Sequence, residues 1–78
     1  MDATRTEALI TARRLIRTLE SAPNLLQQAR TAVTVLVRAR GWRPEEEEAI
    51  LQVAEWLAQR PPLVALRPRC QQLLQRLA

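Results

Sequence analysis

Four consecutive glutamates, Glu45, Glu46, Glu47 and Glu48, form the densest group of ionisable side chains in the sequence. Converging carboxylates can divide acid and base roles or hold a divalent cation. Consecutive helical residues point around the axis instead, and this run follows Pro44 at the start of a helical pattern. Its simpler use is to set negative charge at the positive end of a helix dipole. The rest of the chemical inventory is thin. Histidine is absent, which removes the commonest general base and metal ligand. Cys70 is the only cysteine, Ser21 the only serine and Gly41 the only glycine. That leaves no intramolecular disulfide, no Ser–His or Cys–His pair and no glycine-rich phosphate loop. The expectation is a non-enzyme with no metal, no cofactor and no small-molecule substrate.

The basic residues tell more. All twelve are arginine, and the net charge is +4. Arginine suits bidentate contacts to carboxylates and phosphates, and GC-rich coding produces the same bias. The charges are segregated: residues 22–43 carry four Arg and no acid, residues 44–59 five Glu and no base, and residues 60–78 four Arg and no acid. The simplest expectation is internal complementarity, with the acidic segment neutralised by its basic neighbours at about 0–1 kcal/mol per surface pair. The alternative is a charged surface that meets a partner.

Four helical patterns position these residues. The first covers residues 5–21, with Thr4 and Glu7 spaced as a capping box and an apolar stripe of Leu9, Ala12, Ile16 and Leu19. Opposite that stripe lie Arg13, Arg14 and Arg17, with Ile10 among them. The second covers residues 25–40, capped by Asn24 and stopped by Gly41. Its β-branched run over residues 31–38 allows a strand, but no second strand-like run exists to pair with it, so helix is expected. The third covers residues 44–60, with Pro44 at the first helical position and Pro61-Pro62 as the stop. Its apolar residues span about 220° of the helical wheel, more than a surface helix needs. The tail holds a short apolar turn over residues 63–66 and a short last helix opening at Pro68, with Cys70, Leu73, Leu74 and Leu77 on one stripe. On that stripe Cys70 reads as a small buried hydrophobe.

The predicted fold is all-α, one domain of 78 residues in which three antiparallel helices carry a short fourth helix across them. A chain this small buries only about 60% of the surface it exposes when unfolded, and small bundles of this kind often lean on a partner subunit. The expected function is a non-catalytic protein-interaction module, such as an adaptor, inhibitor or assembly subunit, self-associating as a homodimer through the third helix. The seam would use Leu51, Trp56 and Ala58, the edges of the wide arc. Further protein contacts fall on Ile10, Arg13 and Arg17 of the first helix, and on Trp42 and Arg43, since Trp and Arg are enriched at binding hot spots. Trp42 also reads as a lid over the end of the bundle. The alternative function is nucleic-acid binding, with Arg67, Arg69, Gln71 and Gln72 on a recognition-like helix. The glutamates at the start of the third helix would repel phosphates, so that helix is not the reader. No apolar run approaches the ~20 residues that span a bilayer, and residues 1–9 lack the apolar core of an export leader. A cytoplasmic setting with no membrane partner is expected, and the lone cysteine fits a reducing compartment.

Overall fold

The computed structural model describes residues 4–78; residues 1–3, the start of the segment read for an export leader, lie outside it. The fold is all-α, with α1 at Arg5–Arg17, α2 at Leu25–Arg38, α3 at Pro44–Ala58 and α4 at Leu63–Leu77, and no strand among the described residues. Local chemistry sets the first three starts. Thr4 Oγ1 accepts the Glu7 backbone N–H at 3.2 Å, and Asn24 Oδ1 accepts that of Gln27 at 3.0 Å. Each cap satisfies a donor that has no partner within its helix. At α3, Pro44 stands at the first position and the Glu46 carboxylate reaches back to the Arg43 backbone N–H at 3.0 Å.

The ends depart from the sequence pattern. α1 stops at Arg17, where Thr18 donates its hydroxyl to the Arg14 carbonyl at 3.0 Å and the chain tightens into a 3₁₀ turn over Leu19–Ser21. That turn carries Leu19 into the core. α2 stops at Arg38, two residues earlier than the pattern suggests, because Ala39 is extended and buries its methyl group. Arg40 then pairs with Thr4 in an isolated bridge, and Gly41 turns the chain at φ 98°, a conformation L-residues avoid. α3 stops at Ala58, and Arg60 takes the left-handed conformation, φ 54°, ahead of Pro61.

The largest correction is α4. It is a single helix of 15 residues, as long as α3, with Pro68 inside it. An interior proline costs about 3 kcal/mol by deleting one backbone bond and crowding the preceding turn. The carbonyl that loses its donor belongs to Val64, which is 87% exposed, so water can serve it. On the other side of the helix, Leu66 extends the stripe of Cys70, Leu73 and Leu77 into the core. Burying a leucine contributes about 1.5–3 kcal/mol, and these residues together outweigh the proline.

α2 and α4 pack on each other, and each packs on both α1 and α3, so α1 and α3 flank a central pair. Ala8, Ala12, Ala29, Ala32 and Ala49 are buried and let the helices approach closely around Leu36, Ile50, Leu57 and Leu66. No polar or charged residue is buried among the described residues. Arg67 on α4 meets Glu20 just beyond α1, and Arg5 at the start of α1 reaches the Leu77 carbonyl at the end of α4. These contacts are consistent with neighbouring helices that run in opposite directions. The radius of gyration is 11.5 Å, as the size scaling requires for a chain of this length.

Candidate interaction surfaces

One end of the molecule is tied shut. The Arg5 guanidinium donates to Glu46 at 2.9 Å and to the Leu77 carbonyl at 2.6 Å, and lies 5.6 Å from the centre of the Trp42 ring. The Trp42 indole N–H donates to the Leu36 carbonyl at 2.8 Å, near the C-terminal end of α2. A cation beside the carbonyl end of α4 also complements its dipole. Trp42 is half-buried and packs against the core at this end, the position of a lid. The carboxyl of Glu46 is held below the usual glutamate range, first by the Arg43 backbone N–H and then by the Arg5 side chain. Nothing local in the sequence marks Arg5, because its partners lie 37 to 72 positions away by residue number.

The wide apolar arc of α3 is mostly used internally. Ala49, Ile50, Val53 and Leu57 are buried, and Ala54 and Trp56 pack against the core. Trp56 lies toward α4, where the Arg69 guanidinium stands 5.4 Å from its ring centre. Leu51 and Ala58, seven residues apart and so on one helix face, point to solvent, with Leu51 47% exposed. The three residues expected to form one seam thus divide into an outward pair and an inward tryptophan. Beside Ala58, a groove between α2 and α3 exposes Val37, and Arg30 bridges the two helices by donating to the Leu57 carbonyl at 3.0 Å.

The α3 carboxylates are largely unpaired among the described residues. Among the described residues the ion pairs are Arg5–Glu46 and Arg67–Glu20. Of the five α3 carboxylates only Glu46 is paired; Glu45, Glu47, Glu48 and Glu55 are exposed without an ionic partner among those residues. On α1, Ile10 is 61% exposed and Arg13, Arg14 and Arg17 surround it on the outward face, likewise without an ion pair there. Among the described residues the expected internal complementarity is confined to Glu46, because the other four carboxylates stand on the exposed side of α3, turned from the helices it packs against. Arg43 leaves its side chain exposed while its backbone serves the α3 cap.

The residues considered for nucleic acid are split over the two flanks of α4. Arg67 lines a groove toward α1 with Arg13 and Arg17, Arg69 and Gln72 lie on the side of Trp56, and Gln71 borders both. Cys70 is buried, and burial pushes its thiol up to about 11 against the opposing pull of Arg69. A protonated, enclosed thiol is a poor nucleophile. No group of three or more metal-ligating side chains stands together among the described residues, and no helix there is long and apolar enough to cross a membrane. No protein-family model, curated protein or solved structure matches the chain.

Proposed function

We propose that this chain is a non-catalytic protein-interaction module, an antiparallel helical bundle that self-associates through the outward face of α3. The observation that carries this reading is the set of carboxylates, without ion pairs among the described residues, around half-exposed Leu51 on a helix whose other faces are packed. An isolated exposed leucine is ordinary. One framed by Glu47, Glu48 and Glu55, none of them ion-paired among the described residues, has the make-up of an apolar contact with a charged rim. The proposed setting is cytoplasmic, where a lone thiol stays reduced.

Light scattering across a concentration series tests the reading. Association should be visible for the natural chain and lost in Leu51→Asp, with the helical circular dichroism unchanged. A natural chain that stays monomeric throughout refutes self-association. The nucleic-acid reading draws on the groove shared by Arg13, Arg17, Arg67 and Gln71. It ranks second because Glu20 holds Arg67 and Trp56 underlies Arg69. Gel shifts at low salt with duplex and single-stranded probes decide it, since phosphate binding is strongest there.

A further inference from the structure

We infer that the surface receiving the α3 face is the α1 face of a second copy of this chain, so that copies join head to tail. This rests on the self-association just proposed and names the partner surface. The two faces are matched in kind. Ile10 stands out from Arg13, Arg14 and Arg17, and Leu51 stands out from Glu47, Glu48 and Glu55. Each is an exposed aliphatic side chain ringed by one sign of charge, and the signs are opposite. Residues three and four apart are neighbours on a helix surface. Laying α3 antiparallel on α1 with Leu51 over Ile10 therefore brings Glu48 to Arg13, Glu47 to Arg14 and Glu55 to Thr6. The parallel alignment would instead set Glu48 against Glu7.

Pairing α3 with α3 about a two-fold axis puts carboxylates against carboxylates, which is repulsive. Pairing α1 with α1 does the same with arginines. Only the mixed contact satisfies both faces. Because α1 and α3 flank the α2–α4 pair on opposite sides, one copy cannot close both contacts with a single partner. A heterologous contact of this kind continues to further copies.

Sedimentation of four chains tests it: the natural protein, Arg13→Glu/Arg14→Glu, Glu47→Arg/Glu48→Arg, and the chain carrying all four changes. The natural protein is expected to grow past the dimer as concentration rises and to dissociate at high salt. Each double variant should weaken association about ten-fold or more, and the four-fold variant should restore it, with helical circular dichroism unchanged in all. A strictly monomeric natural chain overturns both this inference and the proposed function. Natural association that stops at the dimer, or survives Arg13→Glu/Arg14→Glu, overturns the head-to-tail contact alone and leaves α3 self-pairing. Failure of the four-fold variant to re-associate also overturns it when that chain is folded. If that chain does not fold, oxidative cross-linking of Ile10→Cys mixed with Leu51→Cys decides. A mixed dimer supports the contact. Cross-linking of Leu51→Cys with itself, or none in the mixture, overturns it; Cys70 is buried and does not compete.

Discussion

The closed end of the bundle and the outer faces of α1 and α3 use the same residue types in opposite ways. At the closed end, Arg5, Glu46 and Trp42 are joined to one another and to backbone carbonyls, and each polar contact links separate elements. On the outer faces, Arg13, Arg14, Arg17, Glu47, Glu48 and Glu55 surround Ile10 and Leu51 without ion pairs among the described residues. The first arrangement has its charge satisfied within the chain. The second leaves charge and apolar surface to be satisfied elsewhere. Composition alone does not separate them; the partners do.

Mutations at the two regions should therefore separate stability from association. The reference for a full stability loss is the core: Leu57→Ala should cost ~2–5 kcal/mol in chemical denaturation. At the closed end, Trp42→Ala should cost ~2 kcal/mol by removing half-buried aromatic surface and one of the two hydrogen bonds that the Leu36 carbonyl accepts. On the outer faces, Leu51→Ser and Ile10→Ser should each stay within about 0.5 kcal/mol of the natural stability while abolishing association. A large stability loss at Leu51 would erase the contrast.

Titration sharpens the comparison further. The carboxyl of Glu46 is lowered in the folded chain, so its contribution is present above the ordinary glutamate range and is lost as pH falls through the folded value. Thermal melts between neutral and acid pH should show a smaller acid loss in Glu46→Gln than in the natural protein. The thiol of Cys70 is raised to about 11 from 9.0, so its contribution is complete below 9.0 and is lost as pH climbs toward 11. Melts of Cys70→Ala should lack that alkaline decline.

Helix starts were legible because they depend on neighbours in sequence: Thr4, Asn24 and Pro44 cap or open the helices from adjacent positions. α4 was not, because Pro68 carries a strong local stop signal that only long-range burial of Leu66 overrides. The wide apolar arc of α3 was legible, but its use was not: Ala54 and Trp56 pack against the core, and Arg69 stands over the Trp56 ring, contacts made with residues on other helices. The outward sets on α1 and α3 were recoverable from helical periodicity, since Ile10 shares its face with Arg13 and Arg17, and Leu51 shares its face with Ala58. Which charges are paired internally was not recoverable. Segment totals count arginines and glutamates, but pairing depends on which face of its helix each side chain occupies.

Sedimentation equilibrium of the natural chain at low and high salt tests the central claim most directly. The opposite charges on the outer faces of α1 and α3, which form no ion pair among the described residues, predict an average mass that rises with concentration in about 0.02 M salt and returns toward the monomer in about 1 M salt, where the screening length falls to ~3 Å. A monomer mass at every concentration in both salts would contradict the account.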